Sequence, residues 1–288
     1  MEGNIDRSQP TSLTHNISNF EYPLWLMRYP RLIYILYMVN YFFHFRKWYV
    51  MPAIRREIRL LGQSGSWMDI GCGEGQYLIP VSRSYRSLHC TGMDMRRSNI
   101  DFLQRLAPGR NMRLLVGNIE TWQEQETTDI LSCIGVLQYI RDDGQALRNM
   151  LSIVRPGGKM LLYVPVNGKI HTSLYQRLLN SREHYETIND RKRIYRSEEI
   201  RNKVQEAGWQ IQQLQYTYGY CGRLSHEITN SLLLLIMSSG WLYKILYTMV
   251  LLTISPFILL LMLIDHSRLH STGNGLLITA VKPTTVVL

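Results

Sequence analysis

The chain has 288 residues, 45% hydrophobic and 19% charged, a globular balance that suits one large α/β domain with additions or two small ones. Lysine and arginine number 32 against 22 acidic residues; the resulting +10 suits an anionic surface, either nucleic acid or the inner face of a membrane. Cys72, Cys90, Cys133 and Cys221 form no CxxC pair or Cys/His cluster, so neither a metal site nor a disulfide framework is indicated, and a reducing cytosolic setting is expected.

The first twenty residues are polar and lack a signal-peptide core. The stretch YPLWLMRYPRLIYILYMVNYFFHFRKWYV comes next, dense in Tyr and Trp. Its longest uncharged run, Leu32 to Phe45, is only 14 residues, too short to span a bilayer comfortably. Arg28, Arg31, Arg46, Lys47, Arg55, Arg56 and Arg59 surround it. Aromatic rings with flanking cations describe an interfacial element on anionic lipid; a hydrophobic cap over a pocket and a dimer interface are the alternatives. Residues 1–54 are therefore set apart from the rest of the chain.

From Ser66 the sequence reads SWMDIGCGEGQYLIP: a short apolar run, glycines at 71, 73 and 75, then a helical pattern. Glycine is needed where the backbone takes positive φ or approaches a ligand closely. LHCTGMD, Leu88 to Asp94, is a second strand ending in a carboxylate 23 residues beyond Gly71. A carboxylate there can accept hydrogen bonds from ribose hydroxyls. A dinucleotide site wants G-x-G-x-x-G; here the third glycine comes one residue early and Gln76 stands where that motif wants Gly or Ala. This spacing opposes a dinucleotide oxidoreductase.

The run D-I-G-C-G-E-G resembles motif I of the class I S-adenosylmethionine-dependent methyltransferases. LLVGNIE resembles the family's third strand, with Asn118 in place of the usual Asp. The stretch from Asp129 to Asn167 resembles its fourth strand, next helix, Pro-Gly-Gly turn and fifth strand. The residues agree: Asp129–Ile134 reads as a buried strand, and Asp142 or Asp143 can cap a helix. Ala146, Leu147, Met150, Leu151 and Val154 share a helical face, and Pro156-Gly157-Gly158 turns the chain into a strand at Lys159–Val164. The resemblance covers about Arg55 to Tyr218 and a final strand, Gly275 to Val281.

Alternating strands and helices build a doubly wound, mostly parallel α/β sheet; the resemblance implies a Rossmann-like sheet of seven strands, the last antiparallel and inserted beside the strand near Trp209 to Thr217. Apolar helices are expected at the N-terminus and between strands six and seven. The methyltransferase domain would occupy 55–288, with an apolar insertion at 231–264.

The resemblance implies S-adenosyl-L-methionine as cofactor and assigns residues to it. Asp69 and the backbone of Gly71, Cys72, Gly73 and Gly75 would face its methionine part. Asp94 would bind the ribose, with Met95 against the adenine; Asn118 and Ile119 would border the adenine, and Ile134, Gly135 and Val136 would floor the site near the sulfur. No general base stands out. His171, His184 and Tyr185 come after the fifth strand, in the segment that in this fold covers the acceptor pocket, and Tyr139 suits a pocket wall.

Ile245 to Ile264 is a 20-residue run without a charge, the length of a bilayer crossing. Yet it lies between strands that must pair on one side of any membrane. A single crossing is thereby excluded, and Ser231 to Tyr243 is too short for a second. A helical pair in one leaflet, a re-entrant hairpin and a buried lid remain, with Gly240 at the turn and Pro256 inside the long run.

These signals describe methyl transfer to a lipophilic small-molecule or lipid acceptor at the cytoplasmic membrane face. A nucleic-acid partner is disfavoured, because no Asn/Asp-Pro-Pro-aromatic tetrad comes after the fourth strand and the basic charge accompanies apolar segments. A catalytically silent cofactor-binding scaffold at the membrane is the alternative from another class. Oligomeric state has no signature in the sequence.

Overall fold

The computed structural model describes residues 14–17, 20–23, 28–29, 32, 44–106, 111–122, 127–166, 168–181, 193–238 and 240–284. Most of the N-terminal aromatic segment thus lies outside the described residues. Two short strands, β1 (Thr14–Ile17) and β2 (Phe20–Pro23), pair antiparallel in a sheet of their own, a feature the polar sequence there did not announce.

The main sheet contains β3 (Gly65–Ile70), β4 (Leu88–Asp94), β5 (Met112–Val116), β6 (Thr128–Ile134), β7 (Val154–Pro165), β8 (Gln210–Thr217) and β9 (Gly275–Val281). Their spatial order is β5-β4-β3-β6-β7-β9-β8. The first five run parallel, while β9 is antiparallel to both β7 and β8 and lies between them. Alternation explains the two-sided core: Trp67, Ile130, Leu161 and Leu277 face one layer of helices, and Met68, Leu131, Met160 and Ile278 face the other.

The first layer includes α1 (Arg46–Leu60), α2 (Leu78–Ser84) and α3 (Arg97–Arg105). The second includes α4 (Asp143–Ile153) and, beyond α5 (Ser173–Ser181), α6 (Ser197–Glu206). Helix α1 runs straight across the 54/55 division expected from sequence, burying Tyr49, Val50, Ile54 and Ile58. It is fastened to the sheet by buried Glu57, which meets Lys159 of β7 at 2.6 Å. Asp142 caps α4, accepting from the Gln145 backbone N–H at 2.8 Å. The Pro-Gly-Gly segment lies inside β7, whose register against β6 shifts between Thr128 and Ile130. The expected turn is therefore an irregular strand entry.

Between β8 and β9 stand α7 (Tyr220–Ser238) and α8 (Trp241–His266), with Gly240 as the N-cap of α8. The pair exceeds the expected 231–264 insertion at both ends. The added root is polar yet buried, with Ser225, Glu227, Thr229 and Asp265 all nearly inaccessible, and hydropathy does not mark such a segment. Asp265 closes the root: it accepts from Tyr49 Oη at 2.5 Å and from the Gly222 and Gly219 N–H groups at 2.8 and 3.1 Å.

Candidate active site

The glycine loop leaves β3 at the carboxyl edge of the sheet, where ligands of open α/β sheets bind. Gly71 has φ +68°, and a Cβ built there would run into Val136; Gly75 has φ +81°, and its Cβ would meet Leu103. Both positions therefore need glycine for local packing. Gly73 differs. Its φ is +53°, but nothing lies within 4 Å of its missing side chain. The space a side chain would fill is open.

Asp94 is the clamp of this loop. Its Oδ2 accepts from the Gly73 N–H at 2.9 Å and its Oδ1 from the Arg96 N–H at 2.8 Å. A carboxylate has about four lone-pair sites, so both oxygens keep room for a ribose hydroxyl. The Gly71 and Cys72 N–H groups donate to the Met93 carbonyl at 2.7 and 2.9 Å, tying the loop to the end of β4. Cys72 is buried, and burial pushes its thiol well up, so it packs rather than reacts.

Asp69, at the end of β3, is 2% exposed. Ser132 Oγ donates to its Oδ1 at 2.6 Å, and Trp67 Nε1 donates to that Oγ at 3.0 Å. Burial raises the Asp69 pKa to about 7; the Ser132 hydrogen bond opposes the shift and the Asp94 charge adds to it. A cationic ligand beside Asp69 would restore its ionised form.

The remaining expected contacts divide. Met95 is 70% exposed at the rim, free to lie against a flat ring. Asn118 Oδ1 accepts from the Glu120 N–H at 3.0 Å, shaping the turn after β5. Ile119 is buried in the core, where its carbonyl accepts from Asn149 Nδ2 at 2.7 Å, so its side chain supports the rim from below. Ile134 is buried, and Gly135, at φ +70°, donates its N–H to the Tyr163 carbonyl at 2.8 Å. His171 is solvent-exposed beside Tyr220, with ring centroids 5.2 Å apart. His184 and Tyr185 lie outside the described residues.

Sequence reasoning missed a cation at the site. The Arg46 guanidinium lies directly against Gly135, where any Cβ would strike Nη1, and its Cζ sits 5.3 Å from the Tyr163 ring centroid. Tyr77, Tyr139, Tyr163 and Tyr218 interact with it electrostatically. No carboxylate of the described residues lies within 4 Å of it. A half-buried cation without an acidic partner suits an anionic ligand group. The open cradle at Gly73, the clamped Asp94, the Asp69 carboxyl and the Arg46 cation together match S-adenosylmethionine, which carries a ribose, a sulfonium, an amino group and a carboxylate.

Two other spaces lie elsewhere. A cavity of about 300 Å³ lined by Met68, Cys90, Arg113 and Trp122 opens along β3–β5, and a groove of about 540 Å³ lined by Trp48, Arg55, Arg59 and His266 lies along α1 and the end of α8. Neither includes a glycine-loop residue.

A family model described as a methyltransferase domain matches residues 42–214. The ubiquinone biosynthesis O-methyltransferase of Coxiella burnetii is 28% identical over 128 residues, covering 43% of this chain and 53% of that protein. The chain spans about half the length of the curated relatives it matches. A putative sarcosine dimethylglycine methyltransferase from Galdieria sulphuraria superposes with a TM-score of 0.55 at 11% identity, covering 82% of this chain and 85% of that one. The Haemonchus contortus phosphoethanolamine N-methyltransferase 2, crystallised with S-adenosyl-L-methionine, gives 0.50 at 16% identity over 76% of this chain and 49% of that one. At such identities the structures show a shared fold.

Proposed function

The chain belongs to the class I S-adenosylmethionine-dependent methyltransferases, and from that premise we propose that it transfers a methyl group to a lipophilic acceptor at a membrane surface. When bound, the cofactor supplies a methyl carbon on a positively charged sulfur. In this reading the chain's own residues position it: Asp94 takes the ribose, Arg46 the carboxylate, and Asp69 with the Gly71–Gly75 backbone the amino end. Met95 and Asn118 border the adenine, above Ile119. Holding the two reactants in line supplies much of the rate enhancement.

One observation carries the membrane part. Over Ile245–His266 the mean hydropathy is 2.3, yet only 17% of the most apolar stretch is buried. Leu242, Ile245, Leu246, Met249, Leu252, Phe257, Leu260 and Leu263 stand exposed along the whole of α8. A lid packed on the core would bury such side chains, whereas a face of this size left open marks a membrane or protein contact. The register favours one-sided insertion: Thr217 at the end of β8 pairs with Gly275 at the start of β9, so the helical pair leaves and returns at adjacent points. Helix α8, 26 residues long, measures about 39 Å and can lie in one leaflet beside the domain. The relatives named for ubiquinone biosynthesis support a lipophilic acceptor methylated on oxygen.

The test places charges on the exposed face. Leu252→Asp with Leu260→Asp puts two carboxylates on that face, each costing up to about 3 kcal/mol at membrane depth and less at the interface. Flotation with anionic vesicles should be lost, along with activity on a vesicle-borne acceptor. Cofactor binding and activity on a short soluble analogue should persist. Unchanged flotation rejects the membrane reading. Comparing lipid extracts of cells with and without the protein, for species differing by one methyl, identifies the acceptor.

A further inference from the structure

The groove of about 540 Å³ where α1 meets the end of α8 has a volume in the range of small-molecule sites. Lys47, Arg55 and Arg59 line it, and no Asp or Glu is among its described lining residues. Trp48 and His266 stand at the junction of the two helices, with ring centroids 6.4 Å apart at 80°. His266 also meets Tyr49, at 5.6 Å, so the end of α8 is seated on α1. Met51, Pro52 and Pro80 give the groove an apolar wall. The lining is therefore amphipathic, with cations on one part and hydrocarbon on the other.

Packing sorts the cations that crowd this part of the sequence. Arg46 turns inward against Gly135. Arg56 is engaged with Glu57 at 2.8 Å and with Gln213 Oε1 at 2.7 Å. Lys47, Arg55 and Arg59 lie at multiples of four residues along α1 and so share the stripe that faces the groove. Arg55 and Arg59 are exposed, and neither enters the ion pairs found among the described residues. One helical turn separates them, which puts their Cβ atoms about 5–6 Å apart. Two guanidiniums so placed can converge on one phosphate, each presenting a planar fork of donors.

We propose that this groove binds the headgroup of an anionic glycerophospholipid, with the phosphate at Arg55 and Arg59 and the glycerol end of the chains along Trp48, Met51 and Pro80. The inference deepens the membrane reading and rests on it for the source of the ligand. Charge selects an anion, because cations line the groove without a carboxylate among them. Continuity with α8 selects a lipid. The exposed apolar side chains of that helix run on through Leu260 to Leu263, and His266, three residues further, already lines the groove. A headgroup seated there leaves its acyl chains beside the apolar face, with Trp48 at the headgroup level that indole rings favour. A nucleic acid in the same place would lay its phosphates against uncovered leucines. Diffuse positive charge attracts the protein to an anionic surface, whereas a seated headgroup also fixes which way the domain faces.

Calorimetry with dihexanoylphosphatidylglycerol below its micelle concentration tests the groove without a bilayer. Wild type should bind it about tenfold more tightly than zwitterionic dihexanoylphosphatidylcholine. Arg55→Gln with Arg59→Gln should lose about tenfold in that affinity, while unchanged binding of S-adenosylhomocysteine reports an intact fold. Arg148→Gln with Arg201→Gln removes the same charge from exposed positions on α4 and α6, in the opposite helix layer, and should shift the affinity less than about twofold. Equal losses in the two pairs mean diffuse electrostatics and overturn the site. The tryptophan fluorescence change on lipid binding should be lost in Trp48→Phe, and its persistence overturns the placement. Equal affinity for the two lipids overturns the proposal, as does tighter binding of inorganic phosphate or of a duplex DNA oligonucleotide. Leu252→Asp with Leu260→Asp should still bind the monomeric lipid while failing to float with vesicles, which separates the groove from the membrane reading. Wild-type flotation without monomer binding rejects the groove alone. Monomer binding without wild-type flotation rejects the membrane reading and upholds the groove's ligand.

Discussion

Replacing Asp94 with alanine tests the organisation of the cofactor loop in two separable ways. The carboxylate accepts from the Gly73 N–H at 2.9 Å and the Arg96 N–H at 2.8 Å, in a residue only 7% exposed. Hydrogen bonds to a charged group contribute about 1.5–3 kcal/mol each. Gly73 is half-buried and Arg96 exposed, so water can reach the freed donors, and the low end applies. The two bonds together give a stability loss of about 3 kcal/mol. Ribose hydroxyls on the remaining lone pairs would add about 2–4 kcal/mol of cofactor binding, or roughly 30- to 1000-fold in Kd. Asp94→Asn should recover at most one loop bond, because its amide must turn a donor toward one of the two N–H groups. Urea denaturation reads the first quantity and titration calorimetry with S-adenosylhomocysteine the second. An alanine variant as stable as wild type and equal in affinity would refute the clamp. Tighter binding of NAD than of S-adenosylmethionine by the wild type would refute the reading of the glycine spacing.

Gly71→Ala should cost about 2–3 kcal/mol in denaturation, from a left-handed backbone and a collision with Val136. Gly73→Ala should cost only about 1 kcal/mol while weakening cofactor binding more, because its Cβ would enter open space; equal behaviour of the two variants would contradict the cradle. Native Asp69 keeps its proton up to about pH 7, whereas the unfolded chain releases it near 3.8. Folding stability should therefore fall as pH rises through that window, by at most about 4 kcal/mol, and Asp69→Asn should abolish this slope in denaturation curves taken from pH 4 to 8. Arg46→Gln should weaken cofactor binding at least tenfold in calorimetry if the guanidinium receives the carboxylate. Cysteine labelling near each terminus should report the same side of the membrane, the cytoplasmic one; a C-terminus on the far side would defeat the one-leaflet arrangement.

Much of this fold can be read locally. The strand limits Leu88–Asp94 and Gly275–Val281 coincide with those read from sequence, because an apolar run bounded by glycine or a carboxylate carries its own ends. The glycine loop and a helix cap at Asp142 or Asp143 are legible for the same reason: their conformations are set by neighbours within a few residues, though only the structure chooses Asp142. Three features had to wait for the tertiary structure. Arg46 precedes Gly135 by 89 residues and Tyr163 by 117, and no spacing in the sequence signals that its guanidinium meets both. The phase of α8 is invisible in a run apolar on every side; only packing shows that Leu251 is buried while Leu252 is 60% exposed, which is why the charge test uses 252 and 260. Asp94 could be read as a ligand-binding carboxylate, but its hold on the Gly73 N–H depends on β3 and β4 lying side by side. Periodicity records how each segment meets water or core, whereas the partner of a buried charge is chosen by the three-dimensional path of the chain.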